Sequence, residues 1–113
     1  MLAIRQLIPT QSAVVLDKDM LNKWDSARDI LEKNYIDRTL TIDIATAAKY
    51  RFDLAGLFKY SGIHQRFIYP HILVNGYNSS LEYDGNILEF KLINEQKLQE
   101  LYSHFSKKKT ETI

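Results

Sequence analysis

The sequence contains no cysteine, only two prolines and four glycines, and no long hydrophobic run. Without cysteine the chain forms neither disulfides nor zinc–thiolate sites, and thiolate catalysis is excluded. No apolar stretch approaches the ~20 residues needed to cross a bilayer, so we expect no membrane partner. Arg5 and Pro9 interrupt the apolar beginning of the sequence, so we expect no cleaved signal.

An excess of charge of either sign is also missing. The 15 basic and 14 acidic residues give a formal charge of +1. This balance argues against a general polyanion binder, so we expect no nucleic-acid partner. Lysines cluster only at Lys107–Lys109, where three phosphate contacts would give a salt slope of about −2.7. With 113 residues, 45% of them hydrophobic, the chain fits one domain with appendages.

The first of three segments, residues 1–38, combines an apolar arm with a helix. From Asp17 to Asn34, apolar residues recur three, four and seven positions apart, which predicts an amphipathic helix. We interpret Trp24 on this stripe as core or interface packing. The arm needs a partner surface, either the domain itself or another subunit. The apolar side chains that such an arm would expose include Leu7, Ile8, Val14 and Val15.

The second segment, residues 39–93, begins with an alternating stretch and then a capped helix. Thr39–Ile44 alternates apolar and polar residues, which predicts a strand with Leu40, Ile42 and Ile44 facing inward. We interpret Ala45–Lys49 as a connection. Asp53 is a suitable cap for a helix over 54–60 that ends at Gly62 in a left-handed conformation.

A second helix and a returning strand complete this segment. The helix lies within 63–74 and either starts near Tyr69 or is broken at Pro70, because proline is tolerated only in a first turn. Asn75-Gly76 ends it. Residues 77–86 form a polar loop, with Leu81 and Tyr83 turned toward the core. The alternation over 87–93 predicts a strand that pairs antiparallel with the first.

In the third segment, residues 94–113, Asn94 caps a helix with an apolar stripe and a basic end. The stripe is formed by Leu98, Leu101, Tyr102 and Phe105. Together the segments predict an α+β fold: a β-α-α-β core with flanking N-terminal and C-terminal helices.

Residues with catalytic or metal-binding chemistry do not form a recognisable motif. His64, His71 and His104 lack the paired spacing that sets metal geometry, so we expect structural or surface roles and no metal or cofactor. No nucleophile elbow or phosphate-binding glycine loop occurs. An enzyme therefore remains only a third alternative, resting on the group Asp43, Arg51 and Asp53.

The order of signals from Leu40 to Leu92 resembles the LysM fold. Asp53–Gly62 looks like the first LysM helix, Val74–Gly76 like the end of the second, and Asp84–Phe90 like the returning strand. The resemblance covers about half of the chain.

The chain also resembles the LysM-like baseplate wedge subunits of contractile-tailed bacteriophages. Those proteins place Tyr-Arg-Pro-Asp-Leu after the first strand, where Tyr50–Leu54 reads Tyr-Arg-Phe-Asp-Leu here. Tyr-Gly follows their first helix, similar to Tyr60–Gly62, and an aromatic-rich helix ending in Asn-Gly comes next. The resemblance implies a virion protein of the tail baseplate, made in the host cytoplasm, that joins other tail proteins in a multi-copy assembly without catalysis.

Two sets of site residues follow from these readings. For a structural subunit, the candidate interface residues are Leu7, Ile8, Val14, Val15, Trp24, Tyr69, Tyr77, Tyr83 and Tyr102. The alternative is a LysM module that binds N-acetylglucosamine polymers of the peptidoglycan or chitin type. Its sugar groove would be formed by Phe52, Asp53, Leu54, Gly76, Tyr77 and Asn78.

Overall fold

The computed structural model of the protein describes residues 18–111, and the side chains of residues 18–106. The predicted interface residues Leu7, Ile8, Val14 and Val15 lie outside this range. The described chain is a compact α+β domain, which confirms the expected fold class. Its elements are α1 (Lys18–Asn34), β1 (Ile36–Thr41), α2 (Ile44–Lys49), α3 (Leu54–Tyr60), α4 (Ile68–Val74), β2 (Glu89–Ile93) and α5 (Glu95–Glu111), with 3-10 turns at Gln65–Phe67 and Ser80–Glu82.

The two strands pair antiparallel, as predicted. Leu40 lies opposite Phe90 and Thr41 opposite Glu89, with an irregularity in the register near Ile36. The first strand was placed about three residues too late by its alternating pattern. Ile44, predicted to face inward, is 76% exposed because it already belongs to α2.

Residues 45–49 form the helix α2 rather than a connection, so that prediction was wrong. The Asp43 carboxylate starts this helix by accepting a hydrogen bond from the Thr46 backbone N–H at 2.7 Å. A short polar side chain at this position satisfies a free helical N–H and favours the turn over further strand. Three helices, not two, therefore lie between the strands.

The predictions for α3 and α4 are confirmed. The Asp53 carboxylate accepts a hydrogen bond from the Gly56 N–H at 3.0 Å. After α3, Gly62 adopts a φ of 96°, which L side chains rarely tolerate. Helix α4 begins at Ile68, so Pro70 falls in its first turn, where a missing N–H removes no helical hydrogen bond.

In the loop between α4 and β2, one of the two side chains predicted to turn toward the core does so. Tyr83 is fully buried, and its hydroxyl donates to the Ile87 carbonyl at 2.6 Å. Leu81, predicted to turn inward, is 71% exposed. It lies in the 3-10 turn Ser80–Glu82, in which no residue is buried.

The core consists of two apolar clusters that share α4. The first packs α2, α3 and α4 on the sheet, and Ile68 and Ile72 belong to it. The second joins α1 and α5 to the other side of α4, where Leu73 and Val74 contribute. Hydrophobic burial of this kind is the main stabilising contribution to such a domain.

Apolar side chains of the two flanking helices, α1 and α5, thus pack within the chain. Trp24 is 1% exposed, and Leu31 and Leu98 are fully buried. Of the two interpretations of Trp24, core or interface packing, the structure shows core packing. Residues from all three predicted segments contribute to the second cluster. Within the described part of the chain, no helix has the length and apolar character that a membrane span requires.

Candidate functional site

An open apolar groove lies between α1, α3 and α4. Its volume is about 700 Å³. We call it the α1–α4 groove and define it by six of its lining residues: Leu21, Trp24, Ala55, Lys59, Ile68 and Ile72. Clefts of 300 to 1,000 Å³ with mainly apolar walls are typical of binding sites. The groove is one of two candidate interaction surfaces.

The groove has its shape because small residues face large ones. Helix α3 contributes Ala55 and Gly56, while α1 contributes Leu21 and Trp24. The indole ring is held by edge-to-face contacts with Phe105, at 5.2 Å between ring centroids, and with Phe67. The sequence signal for this gap is the pair of consecutive small residues, Ala55 and Gly56. Our sequence analysis missed this signal.

The rim of the groove combines tyrosines with cations. Tyr69 and Tyr102 both line it, so the structure brings these two predicted interface residues together with Trp24. The Arg66 guanidinium lies 4.6 Å from the centroid of the Tyr102 ring. Burial, with the nearby Asp25 carboxylate, raises the pKa of the Tyr69 hydroxyl, so this group stays neutral at physiological pH.

Exposed large apolar side chains form the second candidate surface. Six are exposed among the described residues, and only Ile30 of these belongs to α1. The others come from α2, α3 and the segments beside them. We call these five the apolar face: Ile44, Phe52, Tyr60, Leu81 and Ile87.

Hydrogen bonds hold the segments of the apolar face against one another. The Ile42 N–H donates to the Leu88 carbonyl at 2.9 Å. These two residues are close in sequence to Ile44 and Ile87, respectively. The Ala55 N–H donates to the Ser80 hydroxyl at 2.8 Å, which ties the turn carrying Leu81 to α3. These hydrogen bonds join the segments that carry Ile44 and Ile87, and those that carry Leu81 and α3.

Phe52 stands out in this face because of its backbone. Its φ is 62°, the one positive value among the described non-glycine residues. Its N–H donates to the Tyr83 carbonyl at 2.7 Å, and its ring lies 5.2 Å from the Arg51 guanidinium carbon. Proline fixes φ near −65° and has no N–H. The proline that the phage wedge proteins carry in place of Phe52 could therefore not form this turn. The likeness at Tyr50–Leu54 is thus one of sequence, not of this backbone conformation.

The predicted sugar groove is only partly available at the surface. Leu54 is fully buried in the first cluster, and the Asp53 carboxylate caps α3. Gly76 ends α4 with a φ of 91°. Phe52 is exposed, Asn78 is exposed and Tyr77 is half-buried, so these three residues could still contact a ligand.

Tyr77 and Tyr83, both predicted interface residues, pack against each other. Their rings meet edge to face at 6.1 Å. Burial raises the pKa of both hydroxyls, and the Asp84 carboxylate adds to each shift. Because Tyr83 is fully buried, it offers a partner no surface.

The titratable groups singled out in the sequence do not converge. Asp43 and Asp53 each cap a helix, and no ion pair within the described residues joins Arg51 to either. His64 Nδ1 accepts a hydrogen bond from the Arg66 N–H. No cluster of three or more histidine, aspartate or glutamate residues suited to a metal occurs in the described range.

His71 is buried and bonded on both ring nitrogens. Nδ1 lies 2.8 Å from the Phe67 carbonyl oxygen, and Nε2 accepts from the Ile93 N–H at 3.0 Å. Burial lowers the pKa of His71 to about 4, and the Phe67 carbonyl opposes this shift in part. The ring is therefore neutral near pH 7 and joins α4 to β2.

Comparison of the chain with protein-family models, with curated proteins and with solved structures finds no match. What the protein does must therefore be inferred from its own residues.

Proposed function

We propose that the protein is a structural subunit of a bacteriophage tail baseplate, a LysM-like wedge bracket that joins other tail proteins. The order of β1, capped α3, glycine-terminated α4 and β2 supports the LysM-like arrangement, with α2 as an additional helix between β1 and α3. The wedge assignment draws on the sequence likeness. The observation that carries a role in assembly is the apolar face, because five large apolar side chains are exposed on segments that hydrogen bonds join to one another.

The apolar face fits protein contact better than solvent. Exposed apolar groups mark interaction sites where they form a contiguous patch, which is the arrangement we propose for these five. Burying one such side chain fully contributes about 1.5 to 3 kcal/mol, and these five are already partly covered. Each contact is modest, and an assembly with symmetry repeats it in every copy. In this role the chain is not an enzyme and needs no cofactor.

Incorporation into particles tests this proposal. The double variant Ile44→Asp, Leu81→Asp places two charges on the apolar face, at side chains that are 76% and 71% exposed. We expect the variant to fold and to be lost from sedimenting tail particles, as judged by mass spectrometry of gradient fractions. Ile30→Asp is the matched control, because Ile30 is exposed on α1, outside this face. Normal incorporation of the double variant would remove the basis of the proposal.

Binding of N-acetylglucosamine polymers is a second candidate, favoured by the exposed ring of Phe52. This ring is 53% exposed, and its backbone is tied to Tyr83 in the loop that also carries Tyr77 and Asn78. Retention on peptidoglycan or chitin that soluble sugar oligomers compete away would support this function. Phe52→Ala should then abolish retention, while Tyr60→Ala should not. Absence of competable retention would rule it out.

A further inference from the structure

The α1–α4 groove and the residues that precede α1 have matching chemistry. Residues 1–16 include seven leucine, isoleucine or valine residues and a single charged side chain, that of Arg5. Apolar side chains, among them Leu21, Ile68 and Ile72, line much of the groove. We propose that residues 2–16 of the same chain bind in the α1–α4 groove, so that this groove is the receptor for the N-terminal arm.

The position of α1 supports this assignment. The helix starts at Lys18, and Met20, Leu21 and Trp24 in its first two turns line the groove. The chain therefore enters α1 at the edge of the groove. Val14 and Val15 lie only a few residues upstream, so little chain separates them from the apolar walls.

The arm is long enough to follow the groove. Fifteen extended residues span up to about 50 Å, whereas the 17 residues of α1 are about 25 Å long. The sequence Pro9-Thr10-Gln11-Ser12 splits the arm into two apolar pieces and favours a turn between them. Reach therefore does not limit binding to this groove.

The charges on the rim oppose this binding only weakly. Lys59 and Arg66 are the cations that line the groove, and Arg5 is the only charged side chain of the arm. Exposed charges are screened over about 8 Å at physiological ionic strength. Burial of several leucine, isoleucine and valine side chains outweighs a screened repulsion of this size.

Tethering favours the arm of the same chain over that of a second copy. A segment joined by a short connection has an effective concentration in the mM range at its own site. An arm from another molecule competes at its bulk concentration, which is much lower in dilute solution. The occupant is therefore the chain's own arm. This inference is independent of the baseplate proposal.

Disulfide trapping in the full-length protein tests the inference, because the natural chain has no cysteine to interfere. Cysteines replace Gln6 or Gln11 in the arm and Gln65 on the groove rim, all of them polar positions. The control pair joins the same arm position to Glu89, an exposed residue of β2 that does not line this groove. Oxidation is followed over time on non-reducing gels and by mass spectrometry.

We expect a monomeric disulfide with Gln65→Cys to form at least about tenfold faster than with Glu89→Cys, at a rate independent of protein concentration. Adding Ile4→Asp and Leu7→Asp should lower the rate to that of the control pair. Equal rates for groove and control pairs would overturn the inference. Disulfide-linked dimers that form faster at higher protein concentration would also overturn it. That result would mean that the groove binds the arm of a second copy.

Discussion

Acidification should destabilise the protein through one buried side chain, His71. Its Nε2 accepts the Ile93 N–H, and this bond requires the neutral ring. A proton on Nε2 would face another donor and would place a charge in a site that is 3% exposed. The other charged groups that affect this ring are Arg38, which lowers its pKa, and Glu95, which raises it. Burial is the larger cause of the shift.

The size of the effect follows from the difference in pKa between the two states. The unfolded chain binds the proton as pH falls through 6.5, whereas the folded chain binds it only near a pKa of about 4. Stability is therefore complete above pH 6.5 and declines as pH falls toward 4. Each unit of difference corresponds to about 1.4 kcal/mol, so acidification to about pH 5 removes on the order of 2 kcal/mol.

Urea unfolding followed by the fluorescence of Trp24, the only tryptophan, measures this loss. We compare the wild-type protein with His71→Gln, which stays neutral, at about pH 7.5 and about pH 5. The wild type should lose about 2 kcal/mol more than the variant. His104→Gln, at an exposed position, is the control and should behave as wild type. Equal losses in wild type and His71→Gln would refute the reasoning. Asp37 and Asp43, whose pKa values are lowered from 3.8, titrate below this range.

Three further predictions concern the backbone, each measured as a change in unfolding free energy. Gly62→Ala should cost about 1 to 2 kcal/mol from its φ of 96° alone, and Gly85→Ala should cost more, because its Cβ would also lie 3.3 Å from the Ala47 carbonyl oxygen. Equal costs would contradict this ranking. Asp53→Ala should cost about 1 kcal/mol, and Asp53→Asn much less, since an amide oxygen can still cap α3. Phe52→Pro should destabilise by about 3 kcal/mol, whereas Phe52→Gly should be tolerated; a stable proline variant would show that the φ of 62° is not required.

The sequence predicted best those features that a few neighbouring residues determine. Asp53, Gly62 and Asn94 mark helix ends through their own side chain or backbone freedom, and each acts as expected. Pairing of the strands also followed from sequence, because alternation gives each strand one apolar face. Signals of this kind need no knowledge of distant contacts.

Predictions failed where a local pattern had two readings. Alternation ran through Ile44, yet the same residues allow Asp43 to cap a helix, and the cap prevailed. Leu81 was assigned to the core by its apolar character alone, although Tyr83 fills that position and Leu81 faces out. The groove depends on the pairing of small side chains on α3 with large ones on α1, which are more than 30 residues apart in the chain. No local sequence pattern indicates that residues this far apart in the chain lie together.

Helix α4 explains why the apolar stripes of α1 and α5 are covered within the chain. It has only seven residues, but nearly all are buried, because it packs on one cluster through Ile68 and Ile72 and on the other through Leu73 and Val74. A helix that is apolar all round needs covering on every side, and α1 and α5 provide that cover. Their stripes are therefore no surplus. The apolar residues that remain are those of the arm before α1 and of the apolar face, and we propose a different partner for each. We propose the groove of the same chain for the arm, because the arm is joined to α1, whose first turns line that groove, and another polypeptide for the apolar face.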